Sequence, residues 1–265
     1  MEKISKAQVK FVRSLQLKKV RDAEGLFVAE GEKCVEELRR GFELVSLYRE
    51  GENATRTEIE QMSSLKTPQG VIGVFKKSVS PKDGQSGGAG LILVLDGIQD
   101  PGNLGTIIRT CDWFGVHEIV CSRDTADCYN PKVVQATMGA LARVNLRYLD
   151  LVEWLSPLRL PHKGGEQMRI YGTLLDGKNM YEVLSGEAGL SASKASGLCS
   201  VSEQSERSVI IMGNEGNGIS AEVRKFITDP IYIPAYPNKE TSDVVESLNV
   251  SIATAIVLAE FRRPR

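Results

Sequence analysis

Three stretches, the first two punctuated by glycine, carry the residues able to do chemistry. In 91–115, LILVLDGIQDPGNLGTIIRTCDWFG, an apolar run breaks at Gly97, Pro101, Gly102 and Gly105 into a helical repeat with Arg109 on its open side. In 209–220, VIIMGNEGNGIS, Glu215 stands among Gly213, Gly216 and Gly218. The third begins at Ile231-Tyr232-Ile233-Pro234 and resumes at Glu246-Ser247-Leu248-Asn249. Arg109 is a permanent cation suited to a phosphate or a forming oxyanion. A solvated surface arginine is the alternative. Its company decides against that, because ligands of open α/β sheets bind where such loops gather at the carboxyl ends of strands. The second stretch has neither the G-x-G-x-x-G of a dinucleotide fold nor the G-K-[ST] of a triphosphate loop, which excludes a nucleotide-binding oxidoreductase. Its ligand is expected on main-chain N–H and C=O groups, as an adenosine would be.

The positioning elements are legible around these stretches. Residues 91–95 read as a strand covered on both faces. Asn103 reads as the N-cap of the next helix, with Leu104, Ile107, Ile108, Cys111 and Phe114 inward and Gly115 as its stop. Strands at 116–121 and 170–174 and a helix over 131–142, with Pro131 in its first turn, complete an alternation typical of a parallel α/β sheet. In the last helix Leu248, Ile252, Ala255, Ile256 and Ala259 form one stripe, and Val250, Ala253, Val257 and Leu258 leave it apolar almost all round. Such a helix needs cover on every side, which points to its own sheet plus a second subunit, a homodimer.

Upstream, Ser5 and Gln8 form a capping box for a helix running to about 17, with Ile4 stapled onto Val9. A strand at 26–29, a helix over 32–40, a strand at 42–48, a capping box at Thr57-Glu58-Ile59-Glu60 and a strand at 71–75 follow, making a small α/β domain over 1–77. The glycine-, serine- and proline-rich stretch 78–90 is the linker, and 91–265 the second domain. The serine-rich stretch 186–207 reads as a mobile surface loop.

Net charge is −1, but it is unevenly spread. Residues 1–22 hold seven cations (Lys3, Lys6, Lys10, Arg13, Lys18, Lys19, Arg21) against Glu2 and Asp22, a balance of +5 that suits a phosphate backbone or, equally, a solvated basic helix. Five cysteines without a C-x-x-C pair and two separated histidines imply neither metal nor disulfides. No membrane span or signal peptide is readable, and a cytoplasmic protein is expected.

Together, N-L-G-T-I-I-R, G-N-E-G-N-G-I-S and I-P followed by E-S-L-N-V-S-I-A-T-A-I resemble the three signature motifs of the SpoU (TrmH-type) branch of the SPOUT RNA methyltransferases. The resemblance covers about 91–263, and the first domain is similar to the substrate-binding domain that often precedes this catalytic domain. It implies an α/β fold with a SPOUT-like parallel sheet and a C-terminal trefoil knot, S-adenosylmethionine bound in the knot, and a dimer. Carried over by position, Gly213, Ile233 and Leu248, with Asn214 and Gly218, would hold the cofactor. Asn103, Arg109, Glu215, Ser247 and Asn249 would fall on catalytic and substrate-positioning places. One departure is the stretch AYPNKETSDVVE between Pro234 and Ser247, longer than the family's usual loop. If it folds over the pocket it brings Lys239 to RNA.

The reaction so implied moves a methyl group to a ribose 2′-hydroxyl. Arg109 is the family's candidate base. A guanidinium with a pKa above about 12 gives up its proton reluctantly, so holding the neighbouring phosphate and the forming alkoxide is the easier role, with phosphate or water taking the proton. Glu215 would orient Arg109, and Asn103, Ser247 and Asn249 would supply neutral hydrogen bonds; helix capping is the other role open to Asn103 and Ser247. Ribosomal RNA is the expected substrate. Transfer RNA, or a non-catalytic RNA-binding or ribosome-assembly protein of the same fold, are the alternatives.

Overall fold

In the computed structural model, which describes residues 4–77, 90–159, 168–184, 208–236 and 247–263, Ser5 caps helix α1 (Lys6–Ser14) through the expected capping box. Val9 and Val12 face inward, and Ile4 packs on the same core. α1 ends at Ser14 and a short helix α2 (Lys18–Glu24) follows, instead of one helix to 17. The cause is Arg21, buried to 1% exposure, which donates to Leu15 O at 3.0 Å and Gln16 O at 2.7 Å and so ties off carbonyls released where α1 stops.

Strands β1 (Leu26–Glu30), β2 (Leu44–Arg49) and β3 (Val71–Lys76) form an antiparallel sheet in the order β1-β3-β2, with helices α3 (Glu32–Leu38) and α4 (Arg56–Met62) in the connections. The cap of α4 is Thr55 with Glu58, two residues before the expected Thr57. Two overlapping T-x-x-E patterns compete here, and only the earlier one places both the residue before the cap, Ala54, and Ile59 in the core.

These elements form one compact unit together with residues 100–112 and 126–145. The added segments are bound by chemistry. Tyr129 lies 4.8 Å from the ring of Phe27, Arg21 reaches Asp127 at 2.7 Å, and Arg143 is shared between Glu37 at 2.6 Å and Asp112 at 2.8 Å. Asp112 lies on helix α5 (Pro101–Trp113), Asp127 and Tyr129 precede helix α6 (Pro131–Thr137), and Arg143 follows it. α6 ends short of the expected 142, because Met138 and Gly139 turn left-handed before a 3-10 turn at Ala140–Ala142. Gly139 has φ +91°, and a Cβ there would meet Glu37 Cβ at 2.3 Å, so only glycine passes beneath α3.

The second unit is built on a six-stranded sheet in the order β6-β5-β4-β8-β7-β9: β4 (Leu91–Asp96), β5 (Glu118–Cys121), β6 (Asn145–Tyr148), β7 (Arg169–Asn179), β8 (Ser208–Gly213) and β9 (Asp229–Tyr232). The β4–β5, β4–β8, β7–β8 and β7–β9 pairs are all parallel. Two elements without a strong sequence signal are present: β6, half-buried along its length, and α7 (Leu151–Leu155), capped by Asp150. β7 runs five residues past the expected 174, since it bulges after Thr173 and rejoins β9 at Lys178. Helices α8 (Ala221–Arg224) and α9 (Val250–Phe261) complete the described part.

α9 buries Val250, Ser251, Thr254, Val257 and Leu258. The stripe read from the sequence is the other face: Leu248 and Ile252 are 50% and 51% exposed, Ala259 is exposed, and Ala255 and Ile256 are half-buried. In a helix apolar all round, periodicity does not say which side meets the sheet, and the two hydroxyls that bond the helix or its cap tolerate the core. The expected loop 186–207, Lys239 and most of the 78–90 linker and of the 235–246 stretch lie outside the described residues. No helix among the described residues is long and apolar enough to cross a membrane.

Candidate cofactor and substrate site

The carboxyl end of β4 is cross-linked to the turn after β8. The buried Asp96 accepts a hydrogen bond from Ser220 N–H at 2.8 Å, and Gly97 O accepts from Asn214 Nδ2 at 2.7 Å. Gly97 N–H in turn donates to Ser122 Oγ at 2.8 Å, whose hydroxyl is paired with Thr125. Two strand ends and the β5 loop are therefore held by side chains at or just beyond the ends of the strands.

The glycine turn itself closes on its own main chain. Asn214 N–H donates to Gly218 O and Gly218 N–H to Asn214 O, both at 2.9 Å, and Asn214 Oδ1 accepts from Gly216 N–H at 2.8 Å and Asn217 N–H at 3.1 Å. Four main-chain donors are thereby spent inside the loop. Glu215, Gly216, Asn217 and Gly218 are exposed at the tip of the turn. Gly213 is required by closeness: a Cβ there would lie 2.3 Å from Gly218 C and 2.4 Å from Ile219 N. Gly216 and Gly218 leave the exposed tip of the turn without side chains, so a flat ring can meet main chain there directly, and these residues fit S-adenosylmethionine.

The third stretch flanks β9 and α9. Ile233, half-buried, follows β9, and Ser247 and Leu248 are exposed just ahead of α9. Asn249 is the cap of α9, its Oδ1 accepting from Ser251 N–H at 3.0 Å, Ile252 N–H at 3.4 Å and Ser251 Oγ at 2.6 Å, so the capping role considered for Ser247 belongs to its neighbour but one. Next to β9, Gly177 rests against the Ile231 main chain, and Thr173 Oγ1 donates to Ile211 O at 3.2 Å. Asp229 opens β9. Burial works to raise its carboxyl pKa, but donation from Arg169 and Thr228 outweighs it and holds the group below the usual carboxylate range.

Asn103 and Arg109 are carried by α5, whose residues up to 112 belong to the first unit. Asn103 is not the cap of α5. Asp100 is, accepting Asn103 N–H on Oδ1 at 2.8 Å, with Pro101 as the first helical residue. Proline there needs no hydrogen-bond acceptor, which favours a start at this earlier position. Asn103 is half-buried in the first turn, and Arg109 is exposed, opposite buried Leu104, Ile107, Ile108 and Cys111. Sequence reading missed Asp96, Asp100 and Ser122. The first two had a signal in Asp96-Gly97 and Asp100-Pro101, an acid at a strand end and an acid before a helix-opening proline; Ser122 had none.

A parallel sheet whose central strands end in a cross-linked glycine turn, with a capped apolar helix following the last strand, is an α/β protein with its turn where ligands of open α/β sheets bind. The chain belongs to the SpoU rRNA Methylase family, which matches residues 90–259, and residues 6–57 match the MRM3-like substrate binding domain. Over 99% of its length it is 27% identical to the 23S rRNA (guanosine(2553)-2'-O)-methyltransferase RlmP of Bacillus subtilis, covering 98% of that protein. Among solved structures, a putative RNA methyltransferase of the TrmH family from Porphyromonas gingivalis is 36% identical with a TM-score of 0.76, covering 98% of both chains. An AdoMet-bound rRNA methyltransferase from Sinorhizobium meliloti is 28% identical with a TM-score of 0.75, covering 99% of this chain and 97% of that one.

Proposed function

We propose that this protein is an S-adenosylmethionine-dependent methyltransferase acting on a ribose 2′-hydroxyl of ribosomal RNA in the cytoplasm. The observation that carries the reading is the family match over 90–259, which includes the closed glycine turn at 213–218. The relatives named for 2′-O-methylation of rRNA favour ribosomal over transfer RNA. Residues 1–77 serve as the RNA-binding domain and 91–265 as the methyltransferase domain.

Bound S-adenosylmethionine would supply a methyl group on a cationic sulfur, a donor that needs no further activation and no metal. The chain has to hold the acceptor in line and manage one proton. Gly213, Asn214 and Gly218 shape the adenosine cradle, and Ile233 and Leu248 offer apolar surface to its rings. Arg109 neutralises the RNA phosphate beside the reacting ribose and stabilises the forming alkoxide, while phosphate or water accepts the proton. Glu215 provides a carboxylate acceptor for substrate donors, and Asn103, Ser247 and Asn249 supply neutral hydrogen bonds.

A homodimer and a trefoil knot belong to the same reading. The exposed Leu248–Ile252 face of α9 supports the first, and the family membership the second.

The test is methyl transfer to ribosomal RNA from a radiolabelled donor by the wild type and by Arg109→Ala. The variant should lose turnover by about a hundredfold or more while binding S-adenosylmethionine within about twofold of wild type. Wild-type turnover in the variant would remove Arg109 from the reaction. RNA binding by a wild type that never turns over would make the chain a non-catalytic RNA-binding protein.

A further inference from the structure

Helix α1 presents three chemically different flanks. At about 100° per residue, Val9 and Val12 point into the core, Lys6, Lys10 and Arg13 share one edge, and Ala7 and then Phe11 lead round to Gln8 on the other. The three cations are exposed and form no ion pair among the described residues, whereas Arg39, Arg49 and Arg56 of the same unit each pair with glutamate. Phe11 is 39% exposed, an aromatic ring left on the outside of a helix whose other large apolar residues are buried. Beyond Gln8, between the start of α1 and β2, opens a cleft of about 520 Å³ lined by Ile4, Ser5, Gln8, Ser46, Leu47, Tyr48 and Asn53. The Asn53 amide bonds the main chain of Arg49 and Leu47 and Gln8 Oε1 accepts from Ser5 N–H, so the groups turned to a ligand are Gln8 Nε2 and the serine hydroxyls.

Unpaired cations, a solvent-facing ring and an uncharged polar cleft, taken in that order around one rigid helix, match the parts of a nucleotide. We propose that α1 and the cleft beside β2 form an RNA-reading surface for an unpaired nucleotide, with phosphates along Lys6, Lys10 and Arg13, a base stacked on Phe11 and its hydrogen-bonding edge turned to the cleft. This rests on the reading of the chain as an RNA methyltransferase and adds which surface of the first unit meets RNA and in what form. A duplex satisfies the cations equally well but has no free base face to offer Phe11, so the ring is what selects single-stranded RNA. The capping box and the buried Val9 and Val12 hold the helix in place, so little ordering is left to do on binding.

The experiment is fluorescence anisotropy of the full chain with labelled oligouridylate of about 20 nucleotides and with a blunt RNA duplex of the same length. Both are titrated between about 50 and about 200 mM KCl, with methyl transfer to ribosomal RNA measured in parallel. Phe11→Ala should weaken oligouridylate binding roughly tenfold without changing the salt slope or duplex binding, and Phe11→Trp should restore it. Combined Lys6→Gln, Lys10→Gln and Arg13→Gln should lower the slope on single strands by about 2. Wild-type affinity in Phe11→Ala, or an unchanged slope in the triple variant, would overturn the proposal. If those variants behave as wild type in a protein that still methylates ribosomal RNA, the surface is wrong and the enzymatic reading stands. If the wild type neither binds S-adenosylmethionine nor transfers methyl, the enzymatic reading fails, and the oligouridylate comparison still judges the surface.

Discussion

Asn214 Nδ2 donates to Gly97 O at 2.7 Å, and this bond ties the glycine turn after β8 to the glycine turn after β4. The same side chain accepts from the main-chain N–H groups of Gly216 and Asn217, so one residue fixes both the internal shape of the turn and its attachment to the sheet. Asn214→Ala removes three hydrogen bonds, two of whose donors are exposed and rehydrate, so a stability loss of about 1–2 kcal/mol is expected. The turn would then have to be ordered by the ligand, and S-adenosylmethionine affinity should fall about tenfold. Asn214→Asp keeps the acceptor and loses the donor, and calorimetric titration should place it between the other two. Full affinity in the alanine variant would show that the turn is shaped by its glycines alone.

How much of this is readable from the chain alone differs by element. The apolar run 91–95, the stripe Leu104–Ile107–Ile108–Cys111 and the glycine cluster at 213–218 are local patterns with one structural solution, and the parallel sheet and the turn follow from them. Helix starts are harder, because Asn103, Thr57 and Ser247 are good caps with a better one close to each: Asp100, Thr55 and Asn249. Pro101 makes the choice in the first case, and burial of Ala54 and Ile59 in the second. The membership of α5 and α6 in the first unit has no sequence signal, since it depends on pairs such as Arg21–Asp127, Phe27–Tyr129 and Glu37–Arg143, the first and last of them 106 residues apart.

The Arg21–Asp127 pair is a test of that long-range packing. Its side chains are 2% and 14% exposed at a separation of 2.7 Å, and Arg21 also holds two carbonyls. Removing the carboxylate leaves a guanidinium charge in the interior, so Asp127→Ala should cost about 3 kcal/mol in urea denaturation. Arg21→Met combined with Asp127→Ala removes the stranded charge and should be less damaging than Asp127→Ala alone. Additive losses in the double variant would mean that water reaches the pair.

Asp229 gives a pH dependence of known sign. Its folded pKa is depressed, so the stabilisation from Arg169 and Thr228 is present at neutral pH and down to the unfolded value near about 3.9, and is lost as pH falls through the folded value. Asp229→Asn should therefore be less stable than wild type by about 1 kcal/mol at neutral pH, with the gap closing under acid. A gap that widens as pH falls would reverse the assignment.

Cys34 is buried on α3, and burial pushes its thiol up to about 11, against a weaker opposing hydrogen bond from the Gly139 backbone. Cys111, on α5, is pushed further in the same direction by burial and by Asp112. At about pH 8 the thiolate of Cys34 is then about a thousandth of the total. In a Cys199→Ser background, the four buried cysteines, Cys34, Cys111, Cys121 and Cys128, should be silent to a thiol reagent in the native protein and react together once it is unfolded in urea. Fast native labelling of Cys34 would show that α3 lifts from α6, whose Val134 O is 3.9 Å from its Sγ.

The exposed face of α9 makes the proposed dimer testable. Leu248 and Ile252 each leave about half their surface outside while Val257 and Leu258 are buried on the opposite side, so a charge at 252 enters solvent in a monomer and an apolar interface in a dimer. Arg262 Nη2 donates to Gly115 O at 3.1 Å, which sets the far end of α9 beside the turn after Trp113, another large apolar residue that is 84% exposed. If the proposed dimer forms through this face, the wild type should scatter light as a dimer and Ile252→Glu as a monomer, with the thermal midpoint of the isolated chain nearly unchanged, because an uncompensated carboxylate is costly only where it is desolvated. Loss of methyl transfer in that monomer, with the fold intact by circular dichroism, would show that the second copy completes the site. A variant that stays dimeric would place the interface elsewhere and leave the apolar face of α9 for another partner.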